Sequence, residues 1–192
     1  MNTTAPHRLR PSFVVAFLAL MAACSGDATV APNRLTVPSN VAAFSKTPDL
    51  GVCQKLQAPA GSKLAFHAFA DGVQIYRWTG TSWGFVAPSA TLSADAAGNG
   101  QVGTHYAGPT WESNSGSKVV GTVIDRCTPD ASAIPWLSLA AVSAEGPGVF
   151  HRIIFIQRVN TVGGMAPSAS GSVIGEEARV PYTAEYFFYR AH

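Results

Sequence analysis

Residues 63–87 read KLAFHAFADGVQIYRWTGTSWGFVA, and this stretch decides the fold class. Aromatic and aliphatic residues recur in it at short intervals, and the turn-forming sequence GTS at 80–82 interrupts them. Runs of this kind, bounded by turn residues, are typical of strands rather than helices. The Asp-Gly pair at 71–72 is also a strong hairpin signal. We therefore expect strands at 63–70, 73–79 and 83–87.

The same pattern continues to the C-terminus. The chain has 18 Gly and 13 Pro among its 192 residues, and they divide it into short apolar runs. Further strands are predicted at 101–107, 118–125, 149–159 and 179–190. The run IPWLSLAAV at 134–142 fits either a buried strand or a short helix, and no segment keeps a clean helical period. The sequence predicts one all-β domain at residues 49–192. We expect an antiparallel sandwich or barrel of about seven to ten strands.

The N-terminal residues have the features of an export signal. Arg8 and Arg10 precede an apolar run at 12–22 that is short for a membrane span. The run ends in LMAAC, which resembles the bacterial lipobox. Residues 1–23 are therefore interpreted as a lipoprotein signal peptide and Cys24 as the lipidated residue. The alternative is an ordinary signal peptide, followed by an incidental cysteine.

The residues around Cys24 also indicate where the domain is attached. Ser25 is not acidic, which under the usual sorting rule implies an outer-membrane lipoprotein of the bacterial cell envelope. Residues 24–48 are rich in Ser, Thr, Ala, Asn and Pro and are interpreted as the lipidated cysteine and a flexible tether. The expected partner is thus the membrane, through an N-terminal lipid.

The charge of the chain excludes one class of partner. It has 13 basic and 11 acidic residues, and removal of Arg8 and Arg10 with the signal peptide would leave the mature protein formally neutral. No basic cluster remains, so nucleic acid is not an expected partner. Besides the membrane, the expected partner is a polysaccharide or a protein of the envelope.

Cysteine usage agrees with export. If Cys24 carries lipid, Cys53 and Cys127 remain as an even pair in an oxidising compartment and are predicted to form a disulfide. The bridge would close a long loop and stabilise the fold by roughly 4 kcal/mol through chain entropy. Two buried free thiols are the alternative.

Several segments of the domain carry a family resemblance. They are GVQIYRW (72–78), FVAPSATL (85–92), VGTHYAGPTWE (102–112), GSKVVG (116–121), AIPWL (133–137), IQRVNTVGGMAP (156–167) and ARVPYTAEYFFY (178–189). Together they resemble an uncharacterised secreted family of bacteria and fungi, the domain of unknown function 3455. The resemblance implies an exported β-rich domain and supplies no reaction, ligand or catalytic residue. Where many relatives have cysteine, this chain has Trp78 and the segment 169–172, so a bridge in this branch must use Cys53 and Cys127.

Two short motifs resemble enzyme signatures but fit turns better. GNGQVG at 98–103 matches the dinucleotide fingerprint, but that site needs a following helix and a strand is predicted there. GTSWG at 80–84 matches the nucleophile elbow around Ser82, but its flanking segments are the predicted strands of a hairpin. Both motifs are interpreted as turns, and no cofactor is predicted.

Three histidines are candidate zinc ligands. His67, His105 and His151 each lie in a predicted strand, and imidazole is a common zinc ligand. Their spacing places no two of them on one face of a strand, and Cys127 is assigned to the disulfide. No metal site is predicted.

The candidate ligand-binding residues are mostly aromatic. In HYAGPTWE at 105–112, Gly-Pro turns the chain and brings a histidine, a ring and a carboxylate together. Alternation is expected to point Val73 and Ile75 inward and to leave Gln74 on the other face with the aromatic residues. The predicted ligand surface is formed by Tyr76, Trp78, Trp83, His105, Trp111 and Glu112. Rings beside polar groups are typical of sugar-binding surfaces, whereas rings covered on both faces would be core residues.

The sequence thus predicts an envelope lipoprotein whose β domain is a binding or structural module, with a carbohydrate or another envelope polymer as ligand. The alternative function is a hydrolase in which His105 and Glu112 act as acid and base. A binding module requires an accessible aromatic surface. A hydrolase requires a pocket in which His105 meets a carboxylate and their pKa values are shifted.

Overall fold

The computed structural model describes residues 46–192, which form an eight-stranded antiparallel barrel. Each strand pairs with the next one in the chain, and the last pairs with the first to close the sheet. A 3-10 helix at Gly51–Leu56 precedes the strands, which are β1 Lys63–Trp78, β2 Trp83–Ser93, β3 Gln101–Tyr106, β4 Thr110–Ser113, β5 Lys118–Cys127, β6 Trp136–Glu145, β7 Ile153–Gly163 and β8 Glu177–Arg190. The predicted all-β fold is confirmed, and the ambiguous run at 134–142 contributes to strand β6.

Strand β1 corrects the predicted turn at 71–72. The strand is continuous there, and it pairs with β2 and with β8 on both sides of Gly72. A Cβ atom on Gly72 would lie 2.2 Å from the carbonyl oxygen of Ser89, which is too close for any side chain. Glycine at this position therefore allows β2 to approach β1 closely. The hairpin prediction is wrong here, and the chain first turns at 79–82, where the Thr79 N–H donates to the Ser82 carbonyl at 2.9 Å.

Inside the barrel, small residues of β1 face two tyrosines and an alanine of β8. The opposed pairs are Tyr182 with Gly72, Ala184 with Ala70, and Tyr186 with Ala68. Directly opposed residues of antiparallel strands point to the same face of the sheet. The small residues of β1 therefore leave room for the rings of β8 to extend across the lumen and pack on the rest of the core.

The inner face of β1 is the opposite of the predicted one. Gln74 and Tyr76 are only 2% and 8% exposed and point into the lumen. Val73 and Ile75 therefore lie on the outer face, where both are partly buried. Hydrophobicity did not identify the inner face because this strand has apolar residues on both sides.

A second apolar cluster lies outside the barrel. Leu50, Cys53 and Leu56, in and next to the 3-10 helix, pack on outward side chains of β7 and β8. Those outward side chains are Phe155, Val159, Phe187 and Tyr189. Cys53 also forms a disulfide with Cys127 at the end of β5, which confirms the predicted bridge. The helix and the disulfide together cover this part of the outer face.

Two loops cross one end of the barrel and are tied to it by hydrogen bonds. In the β5–β6 loop, residues 128–135, the Ile134 N–H donates to the Gly163 carbonyl at 2.9 Å. In the β7–β8 loop, residues 164–176, the Gly164 carbonyl accepts from the Tyr76 hydroxyl at 2.6 Å. Both loops therefore close the lumen at the end where Gln74 and Tyr76 lie.

Part of the sequence-based interpretation concerns residues outside the described range. The signal peptide at 1–23, the lipidation of Cys24 and the tether as far as residue 45 lie there, so these remain predictions. Within residues 46–192, no helix combines the length and the hydrophobicity needed to span a membrane.

Candidate functional site

His105 and Trp111 belong to the core of the barrel. They are 3% and 1% exposed, and their rings stack with centroids 4.5 Å apart and an interplanar angle of 9°. The His105 Nδ1–H donates to the carbonyl of Thr110 at 2.8 Å. Burial lowers the pKa of His105 to about 3, although the hydrogen bond to Thr110 opposes the shift. The ring is therefore neutral and enclosed.

The expected pairing of His105 with Glu112 does not occur. Trp111 and Glu112 are neighbours on β4, so they point to opposite faces of the sheet, and Glu112 lies outside the barrel. There Glu112 accepts a hydrogen bond from the Tyr106 hydroxyl at 2.5 Å and lies 3.6 Å from Lys118 Nζ. The bond from Tyr106 is the main cause of the lowered pKa of Glu112. The turn at 107–109 thus creates two pairs on opposite faces instead of one acid–base pair.

Tyr76, Trp78 and Trp83 lie at the end of the barrel that the β7–β8 loop covers. Trp78 is paired directly with Trp83 across the β1–β2 hairpin. The Trp83 Nε1–H donates to the carbonyl of Ala169 at 2.8 Å, and the loop passes so close to Trp78 that Gly171 has no space for a Cβ atom. Both tryptophans are half-buried under the loop. The six predicted ligand-binding residues therefore do not form one open surface.

The remaining motifs lie apart from one another. GTSWG at 80–84 spans the β1–β2 hairpin, and the glycines of GNGQVG lie in the β2–β3 turn and the start of β3, so both turn predictions are confirmed. His67 is on the outer face of β1, His105 is in the lumen, and His151 is in the β6–β7 connection. Among residues 46–192, no group of three or more His, Cys, Asp or Glu side chains is arranged to hold a metal ion.

An open groove lies on the outer surface of the barrel, over strands β1 and β8. Its volume is about 260 Å³, and the β2–β3 turn and one residue of β7 form parts of its walls. The side chains that face a ligand there are Phe69, Asp71, Asp95, Asn160, Thr183 and Glu185. We call this feature the outer groove.

Three rings stack in a row on the outer face of the barrel, and the last of them, Phe69, forms the floor of the outer groove. Phe187 is 3% exposed beneath the 3-10 helix, and His67 stacks on it with ring centroids 4.0 Å apart. Phe69 follows, with its ring centroid 4.5 Å from that of His67. Phe69 is only partly buried, so its ring is accessible from the groove. An aromatic ring held in this way is a platform for the apolar face of a sugar or for a cation.

Glu185 is fixed from two sides. His67 Nε2 lies 2.8 Å from Glu185 Oε2, and Asn160 Nδ2 donates to Glu185 Oε1 at 2.9 Å. Asn160 adopts the left-handed backbone region, φ 51°, next to a bulge of β7, a conformation that asparagine tolerates better than most residues. The hydrogen bond with His67 is the main cause of the lowered pKa of Glu185. The carboxylate is therefore ionised and oriented at neutral pH.

Two more carboxylates make the outer groove acidic. Asp95 accepts hydrogen bonds from the N–H groups of Asn99 and Ala97 and from the Asn99 side chain. These bonds, above all the one from the Asn99 backbone, lower the pKa of Asp95. Asp71 adds the third carboxylate, and no Lys or Arg occurs among the described residues that line the groove.

Sequence reasoning missed the outer groove because its residues come from separate strands and had acceptable local explanations. Asp71 belongs to the Asp-Gly pair that predicts a hairpin, and Asp95 lies just before the turn motif at 98–103. The available signal was one polar residue inside each of two strongly apolar strands, His67 in KLAFHAFA and Glu185 in YTAEYFFY. Such residues need a partner when the strand is half-buried, and here they are partners of each other.

Comparison with known proteins gives the family and no further relationship. No curated protein and no solved structure matches the chain. The family model described as "Protein of unknown function (DUF3455)" matches residues 59–190, which include all of the barrel strands. The chain therefore belongs to this family of unknown function, DUF3455.

Proposed function

We propose that the barrel is a binding module that takes one sugar unit of an envelope polymer in the outer groove. The observation that carries this proposal is the accessible ring of Phe69 beside Glu185, whose two carboxylate oxygens are held by His67 and Asn160. Sugar sites combine a ring for stacking with a few oriented polar groups for the hydroxyls. The carbohydrate hypothesis from the sequence is thus kept, with different residues.

The charge and size of the outer groove narrow the class of ligand. Three carboxylates and no basic lining residue within the described range favour a neutral or amino sugar over an acidic one. The volume of about 260 Å³ lies slightly below the roughly 300–1,000 Å³ of sites for drug-sized ligands. One sugar residue at the end or side of a polymer suits this space, since the groove is open and the rest of the polymer can extend into solvent.

Binding is supported better than acid catalysis in this groove. A glycosidase needs one carboxyl group whose pKa is raised so that it can protonate the leaving group. The pKa values of Glu185 and Asp95 are instead lowered, by the hydrogen bond with His67 and by that from the Asn99 backbone respectively. The alternative hydrolase built on His105 and Glu112 lacks support because these two side chains lie on opposite sides of the sheet.

The proposed location is the outer membrane of a bacterial envelope, with lipid on Cys24 as the anchor. The sequence LMAAC after an apolar run, followed by Ser25, supports this location. A lipid-anchored module with a groove for envelope sugars would remain close to its ligand, which raises the effective concentration of the two partners.

Calorimetric titration with N-acetylglucosamine oligomers, glucosamine and soluble peptidoglycan fragments tests the sugar site. We expect saturable binding of at least one of them, weakened about tenfold in Phe69→Ala because a stacking contact is lost. Phe85→Ala is the matched control, since Phe85 is a 57% exposed aromatic residue that does not line the groove.

Loss of binding in Phe69→Ala with normal binding in Phe85→Ala supports the proposal. If none of these sugars binds, or if both variants bind them as the wild-type protein does, the outer groove is not a sugar site.

A further inference from the structure

The lumen contains polar side chains that interact with one another without forming well-aligned hydrogen bonds. Tyr182 approaches Tyr186 and Gln74, and Tyr186 also approaches Arg158. Four buried atoms have no hydrogen-bond partner among residues 46–192: Gln74 Nε2, Trp111 Nε1, and the hydroxyl oxygens of Tyr182 and Tyr186. Each of these four residues is at most 2% exposed. Buried donors are almost always paired in folded proteins, so several unpaired ones in one region point to a bound partner.

These side chains lie together in one half of the lumen. Tyr182 and Gln74 both contact Gly164, whose ideal Cβ would lie 2.9 Å from Tyr182 Cβ and 3.1 Å from Gln74 Cγ. The rings of Trp111 and Tyr186 pack with centroids 5.3 Å apart. The two tyrosines follow the same face of β8, with Ala184 between them. We call these four residues the lumen cluster.

Arg158 gives the lumen cluster a positive charge. It is directly opposite Tyr186 in the pairing of β7 with β8, so its side chain enters the lumen on the same face. Its Nε and one terminal nitrogen donate to the carbonyl of Pro135, at 3.2 and 2.7 Å. No carboxylate faces this charge from the described strands of the lumen, since Glu112, Glu177 and Glu185 all lie outside it.

The unpaired groups have one chemistry in common, because all of them can donate a hydrogen bond. Indole Nε1 and amide Nε2 are donors only. Burial raises the pKa of Tyr182 and of Tyr186, so both hydroxyls keep their protons. Donors around a guanidinium fit an acceptor that is negatively charged. We propose that the lumen cluster and Arg158 bind one small carboxylate.

Access to this site is through the β7–β8 loop. The loop is bounded by glycines with positive φ, Gly163 and Gly164 at 65° and 77° and Gly175 at 90°. The Tyr76 hydroxyl donates to the Gly164 carbonyl at one end, and the Gly175 N–H donates to the Trp78 carbonyl at the other. Between them Trp83 donates to the carbonyl of Ala169, so lifting the loop has to break these bonds. Glycines at both ends can absorb the backbone rotation that lifts such a segment. Because a Cβ atom on Gly164 would already be crowded by Tyr182 and Gln74, only a small ligand suits this site.

Titration of the purified chain with acetate and succinate tests the proposal, with acetamide and succinamide as neutral controls of the same shape. Calorimetry gives the affinity, and tryptophan fluorescence reports the site because Trp111 belongs to it. We expect one carboxylate per chain, bound at least tenfold more tightly than its amide.

Substitutions in the lumen and outside it give a matched comparison. Tyr182→Phe and Tyr186→Phe remove hydroxyls that have no well-aligned hydrogen bond, so they should fold normally and bind the carboxylate about tenfold more weakly. Tyr189→Phe is the control, because the Tyr189 hydroxyl donates to Gln157 Oε1 at 2.6 Å on the outer side of the barrel. It should bind the carboxylate as the wild-type protein does.

Two results would overturn the inference. One is the absence of saturable binding for both carboxylates, which would assign the unpaired donors to water alone. The other is equal affinity in Tyr182→Phe, Tyr186→Phe and the wild-type protein, which would place any bound carboxylate elsewhere. Neither result bears on the outer groove, which lies on the opposite side of the sheet.

Discussion

His105 is held neutral inside the barrel, between the ring of Trp111 and the carbonyl of Thr110. Its charged form would be a cation in the same half of the lumen as Arg158, and the positive charge of Arg158 adds to the effect of burial on the pKa of His105. The native state therefore resists protonation of this residue, whereas the unfolded state does not. That difference makes stability depend on pH.

The pH dependence has a defined direction and range. Burial lowers the pKa of His105 from 6.5 to about 3, so between these values the unfolded chain binds a proton that the native chain refuses. The free energy of unfolding should fall as pH falls through this range, by at most about 1.4 kcal/mol per pH unit from this residue. Urea unfolding from pH 7 to pH 4 should show a smaller loss in His105→Gln than in the wild-type protein.

The exposed His151 provides the control for this experiment. His151→Gln should keep the wild-type pH dependence, because an exposed side chain is solvated in both states. Equal slopes in His105→Gln and the wild-type protein would contradict the assignment of the effect to His105. Comparing slopes also removes the contribution of Glu185 and other carboxylates with lowered pKa values, which lose stabilising interactions within the same range as pH falls below their ordinary pKa.

At the scale of one strand, the close pairing of β1 with β2 depends on Gly72. Any side chain at this inward position would meet the backbone of β2, with a Cβ only 2.2 Å from the Ser89 carbonyl oxygen. Gly72→Ala should therefore push β2 away or bend β1, and it should lower the free energy of unfolding by about 1–3 kcal/mol or more.

Gly84→Ala tests whether this effect is specific to the crowded position. A Cβ on Gly84 would have its nearest neighbours at 3.7 Å, which is ordinary contact, so this variant should unfold close to the wild-type midpoint. Denaturant unfolding of the two variants measures the difference. Equal stability of Gly72→Ala and Gly84→Ala would show that β1 and β2 can separate at Gly72 without loss.

The elements also show what the sequence could and could not predict. Turn residues placed most strand boundaries, because their backbone preferences are local. The hairpin predicted from the Asp-Gly pair at 71–72 was wrong, because pairing with β2 and β8 on both sides outweighs the local turn preference. The prediction of which face of β1 carries Gln74 and Tyr76 was wrong for a different reason. Alternation separates the two faces of a strand, but here both faces are partly covered, and only the closed barrel defines which is inside.

The same limit applied to the candidate site. HYAGPTWE at 105–112 predicts that a histidine, an aromatic ring and a carboxylate lie close together, and the structure brings only His105 and Trp111 together. The sequence could not place Glu112 on the other side of the sheet without the exact register of the turn. The outer groove could not be predicted from the sequence, because Phe69, Asp95 and Asn160 come together only when strands far apart in the chain lie side by side.

At the scale of the whole molecule, the 3-10 helix couples the disulfide to the outer groove. Cys53 and Leu56 cover Phe187, Phe187 stacks on His67, and His67 orients Glu185. The Gln157 side chain adds a hydrogen bond to the Leu56 carbonyl at 2.7 Å. The second apolar cluster, which contains Leu50, Cys53 and Leu56, therefore supports the floor of the outer groove from the side away from its opening.

Removing the disulfide should affect both stability and the groove. The bridge joins residues 74 apart in the sequence. Its loss in Cys53→Ala with Cys127→Ala should lower the free energy of unfolding by up to roughly 4 kcal/mol. Because the helix would then be held without a covalent bond, by packing, the Gln157 hydrogen bond and the exposed Lys55–Asp125 ion pair, His67 and Glu185 should also become more mobile. Denaturant unfolding measures the first effect, and NMR of the His67 ring measures the second. A variant that unfolds like the wild-type protein and keeps a fixed His67 would show that the noncovalent contacts of the helix are enough to hold it in place.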